Sequence, residues 1–353
     1  MSCPFPVFAG NGQHFSIFRS MFHLNAAEPQ RLTEYLQQKG WLKPQETVLS
    51  AGKPGAGNMN YVLRIDTGAR TLIIKQSRPY VEKYPQVPAP AERALVEGAF
   101  YNKIASNPEI REAMPGLLGL DPDNYILALE DLGESNDFTF LYERETALQP
   151  EQLTALATYL HTLHASFVER EPADPLLSNR TMRTLNHEHI FYFPFLEDNG
   201  FDLDVVLPGL QELAMPYKKD TALKQRIQAL GTIYLNDGNY LLHGDYYPGS
   251  WLNTSGGVKI IDPEFCFYGH REFDVGVLLA HLHLAEQPSG LPEVFRTAYA
   301  AYPALDQNLL AQFTGVEMMR RLIGLAQLPL TSDLATRRKL LALAHHLIMN
   351  HEA

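Results

Sequence analysis

The stretch LLHGDYYPGSWL at residues 241–252, followed by KIIDPEF at residues 259–265, decides how the rest of the chain is interpreted. Short apolar runs at 240–242 and 258–261 predict two β-strands, because turn residues bound both of them. The first strand leads into the loop that contains Asp245, and the second leads into Asp262. The sequence therefore predicts two carboxylate-bearing loops, each at the end of a short strand.

A glycine-rich turn precedes this stretch by almost two hundred residues. It contains Gly55, Gly57 and Asn58, and residues 60–76 after it are predicted to form a β-hairpin that carries Lys75 near its end. A dinucleotide-binding glycine motif should open a helix. A strand follows here, so the pattern favours a loop that covers phosphates over a Rossmann motif.

Together these pieces match what phosphoryl transfer from ATP requires. Backbone amides cover the triphosphate, a lysine neutralises its charge, one carboxylate orients the attacking hydroxyl and further carboxylates hold Mg²⁺. Asp245 is the candidate catalytic residue, and His243 is interpreted as structural support for its loop. Asp262 and Glu264 are candidate Mg²⁺ ligands, since Mg²⁺ prefers hard oxygen donors.

Strand signals concentrate before residue 131 and helical periodicity after it, which predicts an α+β fold. Strands are expected at 46–50 and 125–129 beside the hairpin, and residues 80–90 read as a proline-broken loop. The expected organisation is an N-terminal extension at 1–20, a small β-rich lobe at 21–131 and a larger helical lobe at 132–353. Helices are predicted at 29–39, 91–105, 151–167, 223–236, 273–284, 294–300, 307–325 and 333–349.

Composition narrows the classes of protein. The formal net charge of −11 disfavours a nucleic-acid binder held by bulk charge and a polybasic membrane binder. Two cysteines among 353 residues exclude a disulfide scaffold and favour a reduced, cytoplasmic setting. With 45% apolar residues, the chain has ample material for a core.

The ordered motifs resemble the 5-methylthioribose kinase family, within the aminoglycoside and choline kinase superfamily. The resemblance runs from about residue 55 to residue 326 and implies a two-lobed, protein-kinase-like fold. It further implies ATP and Mg²⁺ as cofactors and the anomeric hydroxyl of 5-methylthioribose, an intermediate of methionine salvage, as acceptor. The matching segments are GAGNMNYVLRI, LIIKQSRPYV, AERALVEGAF, LALEDL, HGDYYPGS, DPEFCFYG, FDVG and MMRRLIGLA.

On the nucleotide side, the resemblance assigns Lys75 to the α- and β-phosphates. Its partner would be a helix carboxylate, Glu97, with Glu92 as the alternative. Glu130 and Leu132 resemble the hinge whose main-chain groups hold adenine.

On the acceptor side, the twin arginines Arg320 and Arg321 would bind sugar hydroxyl and phosphoryl oxygens, for which guanidinium forks are suited. Asp274 would brace the catalytic loop. Ser250 stands where many superfamily members place an asparagine ligand to the metal.

Several departures from the family pattern fall near the acceptor. Residues 246–248 are Tyr-Tyr-Pro beside Asp245, and Tyr84 stands where the family has a tryptophan. Tyr84 and Tyr247 are therefore candidate acceptor contacts. Another sugar, a choline-like amino alcohol or an aminoglycoside stays open as acceptor, as does a catalytically silent relative. The family also implies a homodimer.

Overall fold

The computed structural model describes residues 21–350 except 56, 58, 144, 172, 301 and 302. The predicted extension at 1–20 and the candidate residue Asn58 therefore lie outside the described residues. In the described part, the strands are β1 (Ser50–Gly52), β2 (Tyr61–Asp66), β3 (Thr71–Gln76), β4 (Tyr80–Val81), β5 (Tyr84–Pro88), β6 (Leu117–Asp121), β7 (Ile126–Glu130), β8 (Asn136–Asp137), β9 (Tyr240–Leu242), β10 (Trp251–Thr254), β11 (Gly257–Ile260) and β12 (Phe267–Gly269). The helices are α1 (Pro29–Gln38), α2 (Arg93–Ile104), α3 (Pro108–Glu112), α4 (Pro150–Ser166), α5 (Arg180–His187), α6 (Leu210–Lys219), α7 (Thr221–Leu235), α8 (Glu272–Leu284), α9 (Leu291–Ala298), α10 (Gln307–Ile323) and α11 (Leu334–Met349).

The smaller lobe is built on a five-stranded antiparallel sheet in the order β1-β2-β3-β7-β6. Successive side chains of a strand point to opposite faces, so β3 serves two cores. Leu72 and Ile74 pack into the cluster that contains the buried face of α1. Ile73 packs into the other cluster, with α2, and this alternation directs Lys75 toward α2 as well.

The larger lobe is mainly helical, with α8, α10 and α11 packed through a shared apolar cluster. A two-stranded antiparallel sheet, β9 with β12, and a three-stranded one in the order β11-β10-β8 carry the acidic loops. The α+β, two-lobed prediction is confirmed. No helix in the described ranges is long and apolar enough to cross a membrane.

Two local predictions were wrong, and several elements were missed. Residues 80–88 form the β4–β5 hairpin where a loop was expected, because β4 has only two residues and two of the five residues of β5 are prolines. The first strand is Ser50–Gly52, later than the predicted 46–50. The helices α5 and α6 and a π-helical turn at Glu188–Tyr192 were missed; Pro216 inside α6 hides its periodicity.

Candidate active site

The Asp245 loop is fixed by its glycine and by α8. Gly244 has φ of +84°, and an added Cβ would lie 2.1 Å from the Phe265 carbonyl oxygen, so only glycine fits. The buried Asp274 carboxylate, in the first turn of α8, accepts the main-chain N–H groups of His243 at 2.7 Å and Gly244 at 2.9 Å. Asp274 therefore lies where a brace for the loop is needed.

His243 joins the two acidic loops. Its Nε2 lies 2.9 Å from the Ile261 carbonyl oxygen, and the Asp245 N–H points to its Nδ1 at 3.4 Å. These partners assign the proton to Nε2. Burial lowers the pKa of His243, which keeps the ring neutral. The ring therefore positions Asp245 and the residue before Asp262 relative to one another.

Lys75 lies between two carboxylates. Its Nζ is 2.7 Å from Glu97 Oε2 on α2 and 2.8 Å from Asp262 Oδ1. Burial opposes the charge on Lys75, but attraction to Asp262, Glu97 and Glu264 outweighs it and raises the pKa of the amine. Lys75 is thus a fixed cation, and Glu97, not Glu92, is its helix partner.

Lys75 is the only ion-pair partner of Glu97 among the described residues. Its side chain is fully buried, and burial raises the pKa of the carboxyl to about 7. Asp262 differs, because its side chain is 48% exposed and its backbone is left-handed, with φ of +61°. Such backbone strain is costly and concentrates at functional sites. Asp262 therefore presents its carboxylate to the cleft.

Glu264 is tied to the sheet lobe. Its Oε2 accepts from Asn60 Nδ2 at 2.8 Å and faces Arg93 Nε at 3.2 Å. Arg93 is fully buried and also donates to the Met59 carbonyl oxygen beside the glycine-rich turn. This carboxylate thus connects the acidic loop with the glycine-rich turn.

The described residues contain no group of three or more His, Cys, Asp or Glu side chains that could hold a metal ion by themselves. Mg²⁺ in such sites binds one or two carboxylates and substrate phosphates, so the exposed Asp262 carboxylate fits it chemically. Ser250 is buried, and its hydroxyl donates to the Asp245 carbonyl oxygen at 2.9 Å. That bond braces the Asp245 loop, and a metal-ligand role for Ser250 stays a prediction.

The predicted hinge follows the end of β7, and the glycine-rich turn lies between β1 and β2. The main-chain N–H of Glu130 donates to the Gly116 carbonyl, whereas that of Leu132 has no partner among the described residues. An added Cβ at Gly55 would meet nothing within 4 Å, and one at Gly57 only ordinary contacts. No steric contact with the described residues therefore requires glycine at position 55 or 57.

The twin arginines converge on Asp245. Arg320 and Arg321 place an Nη2 atom 3.6 Å and 3.5 Å from Asp245 Oδ1. Burial raises the pKa of Asp245, and the two guanidinium groups oppose that shift. The Arg321 guanidinium also lies over the Tyr247 ring, 4.8 Å from its centre. Asp245, both arginines and Tyr247 thus form one polar site.

The other two tyrosines lie elsewhere. Tyr246 is fully buried, donates its hydroxyl to the Leu156 carbonyl oxygen at 3.0 Å and stacks on Tyr159. It is a core residue and not part of the acceptor site. Tyr84 is 46% exposed on the β4–β5 hairpin, and no described contact joins it to the Asp245 site. Its assignment as an acceptor contact stays a prediction.

Sequence reasoning missed several buried polar residues behind the site. Arg93 stands two positions after the predicted helix start, and Glu317 precedes the twin arginines by three and four positions. The spacing of Glu317 and the arginines, typical of helix ion pairs, was an available signal. His281 contacts Glu317, and Tyr142 contacts His281. No sequence pattern pointed to either contact.

The chain is similar to known phosphotransferases. The family model described as "Phosphotransferase enzyme family" (APH) matches residues 52–307. The methylthioribose kinase of Pectobacterium carotovorum is 29% identical over 282 residues, covering 76% of this chain and 68% of that protein. The methylthioribose kinase of Bacillus cereus is 25% identical over 337 residues, covering 83% of each. The crystal structure of choline kinase LicA from Streptococcus pneumoniae superposes with a TM-score of 0.51 at 14% identity, covering 90% of this chain and 98% of that one, which shows a shared fold.

Proposed function

The chain belongs to the phosphotransferase enzyme family, and we propose that it transfers the γ-phosphoryl group of ATP to a hydroxyl of 5-methylthioribose. The observation that carries the proposal is the group formed by Asp245, Arg320 and Arg321. A carboxylate beside two guanidinium forks suits a neutral, hydroxyl-rich acceptor that gains a phosphoryl group.

The nucleotide is held by the sheet lobe. Lys75, oriented by Glu97, would neutralise the α- and β-phosphates, and the free main-chain N–H of Leu132 would receive the adenine edge. Asp262 would hold Mg²⁺, which supplies charge neutralisation for the transferred phosphoryl group. Because Lys75 pairs with both Glu97 and Asp262, binding of the triphosphate replaces some of this carboxylate contact with phosphate contact.

The acceptor is held by the helical lobe. Asp245 accepts the hydrogen bond of the attacking hydroxyl and orients it in line with the γ-phosphorus. Burial raises the pKa of this carboxyl, which makes it a better acceptor for the hydroxyl proton late in the transfer. Arg320 and Arg321 then stabilise the negative charge on the phosphoryl oxygens.

Other acceptors receive less support from the site. A choline-like cation needs an open aromatic cage, but Arg321 covers Tyr247 and Tyr246 lies in the core. An aminoglycoside carries several positive charges, which the two arginines would repel. The site therefore favours an uncharged sugar.

The test is ATP consumption with Mg²⁺ and a panel of 5-methylthioribose, ribose, choline and kanamycin. Turnover with 5-methylthioribose and loss of that turnover in Asp245→Asn are expected. The matched control is Asp123→Asn, which changes an exposed turn carboxylate in the sheet lobe. Preference for choline or kanamycin would contradict the proposed acceptor, and unchanged kcat in Asp245→Asn would contradict the catalytic role.

A further inference from the structure

Arg320 and Arg321 are adjacent in α10, yet their guanidinium groups approach the same atom. Neighbouring residues of an α-helix project about 100° apart, so two adjacent side chains ordinarily face different surroundings. Here both Nη2 atoms lie within 3.6 Å of the same oxygen, Asp245 Oδ1. A third group must therefore orient the two side chains toward each other.

Glu317 does so from one turn earlier on the same helix. Its Oε1 accepts from Arg321 Nε at 2.7 Å, and its Oε2 accepts from Arg320 Nε. The carboxylate is 1% exposed, and although burial opposes its charge, the two arginines hold its pKa well below the usual range. Each oxygen of one carboxylate thus holds one guanidinium group by its Nε–H, which leaves the Nη groups directed to Asp245.

The carboxylate is itself oriented from α8. His281 Nε2 lies 3.1 Å from Glu317 Oε1, and His281 Nδ1 lies 2.6 Å from the Tyr142 hydroxyl. Burial lowers the pKa of His281 to about 4, so the ring is neutral near pH 7. A neutral ring that accepts from Tyr142 at Nδ1 donates from Nε2 to Glu317, and this fixes the direction of every hydrogen bond in the chain.

We propose that Glu317 is a positioning residue of the acceptor site, which clamps both arginines by their Nε–H groups and so directs their Nη groups to the acceptor and the transferred phosphoryl oxygens. This inference rests on the proposed function. It adds a residue that touches neither substrate and acts through the arginines.

The clamp also balances charge. With Glu317 present, two guanidinium groups face two carboxylates, Glu317 and Asp245. Without it, both arginines would turn to Asp245 as their remaining anion. Asp245 would then be less available to the acceptor hydroxyl, and the arginines less available to phosphoryl oxygens.

The test compares Glu317→Gln, which keeps the size of the side chain, with the wild-type protein. We expect kcat/KM for the acceptor to fall about 10- to 100-fold, the range caused by small misplacement of catalytic groups, while the KM for ATP stays unchanged. The matched control is Glu293→Gln, because Glu293 pairs with Arg296 three positions later on the exposed face of α9. The proposal would be overturned if the KM for ATP rose by the same factor as acceptor kcat/KM fell. It would also be overturned if acceptor kcat/KM in Glu317→Gln were no lower than in Glu293→Gln.

A double-mutant comparison separates positioning from general packing. In an Arg320→Met, Arg321→Met background the clamp has nothing to hold, so Glu317→Gln should cause no further loss. A further loss as large as in the wild-type background would contradict the inference. If Glu317→Gln fails to fold, Tyr142→Phe removes only the hydroxyl at the far end of the chain. It should lower acceptor kcat/KM several-fold with unchanged KM for ATP, and an unchanged value would overturn the proposal.

A wrong assignment of the acceptor can be distinguished from a wrong role for Glu317. If the wild-type protein uses another acceptor, the same variants are assayed with that acceptor. If it turns over none, NMR of ¹⁵N-labelled arginine still tests the clamp. The Nε–H signals of Arg320 and Arg321, assigned by their absence from Arg320→Met and Arg321→Met, should exchange slowly in the wild-type protein. In Glu317→Gln they should exchange faster; equally slow exchange of both in the two proteins would refute the clamp.

Discussion

Arg93→Met tests whether the sheet lobe and the acidic loop are connected through one buried guanidinium group. Arg93 is fully buried, and its fork donates to Asn60 Oδ1 at 3.0 Å and to the carbonyl oxygens of Met59, Arg78 and Pro90 at 2.7–2.9 Å. The same Nε lies 3.2 Å from Glu264 Oε2. Methionine keeps much of the volume but none of these bonds.

The expected loss follows from what the substitution leaves behind. Glu264 is 4% exposed, and removal of one partner of a buried ion pair costs about 3–5 kcal/mol. Three main-chain carbonyl groups lose a donor as well, while the bond from Asn60 Nδ2 to Glu264 at 2.8 Å persists and offsets part of the loss. We therefore expect the free energy of unfolding to fall by about 4 kcal/mol.

Urea denaturation followed by circular dichroism measures this change, with Arg70→Met as the matched control. Arg70 also donates from two nitrogens to the Glu46 carboxylate and from Nη2 to the Trp41 carbonyl oxygen, but its side chain is 38% exposed. Glu46 is 7% exposed, but solvent reaches the arginine and screens the pair, so we expect it to contribute about 1 kcal/mol. If Arg93→Met destabilises the protein no more than Arg70→Met, the argument that Arg93 supports Glu264 and the glycine-rich turn is refuted.

Three further predictions concern the two substrate sites and the network behind them. Lys75→Met should raise the KM for ATP or lower kcat at least 10-fold, because the cation at the phosphates is lost; unchanged nucleotide kinetics would exclude that role. Tyr246→Phe should lower the free energy of unfolding by about 1 kcal/mol without changing acceptor kinetics, whereas Tyr247→Ala should change acceptor KM; the reverse pattern in steady-state assays and urea denaturation would contradict their placement. His281 has a pKa of about 4, below its ordinary 6.5, so unfolded chains bind the extra proton and the wild-type protein should lose up to about 3 kcal/mol as pH falls through this window. His281→Asn should lack that share of the pH dependence. If the free energy of unfolding, measured by urea denaturation, falls equally with pH in both proteins, the prediction is contradicted.

The sequence predicted the main features of the fold because they depend on local patterns. The hairpin that carries Lys75 and the helix that carries Glu97 are both present, and the α+β, two-lobed fold class is confirmed. The choice between Glu97 and Glu92 depended on the direction of side chains on α2, which spacing alone left open. The structure selects Glu97, whose Oε2 is 2.7 Å from Lys75 Nζ.

The residues that sequence reasoning missed depend on long-range packing. Arg93 meets Glu264 only because α2 packs against the loop at residues 263–265, and His281 meets Glu317 only because α8 packs against α10. The two tyrosines at 246 and 247 are adjacent and chemically identical. The backbone turns one into the core and the other toward Arg321, a difference that no composition or spacing rule contains.

The most direct test of the proposed activity is ³¹P NMR of a mixture of the purified protein, ATP, Mg²⁺ and 5-methylthioribose. We predict a new phosphomonoester signal coupled to the anomeric proton, formed as the ATP γ-signal declines, and absent with Asp245→Asn. Loss of ATP without this signal, or the same signal with Asp245→Asn, would contradict the account.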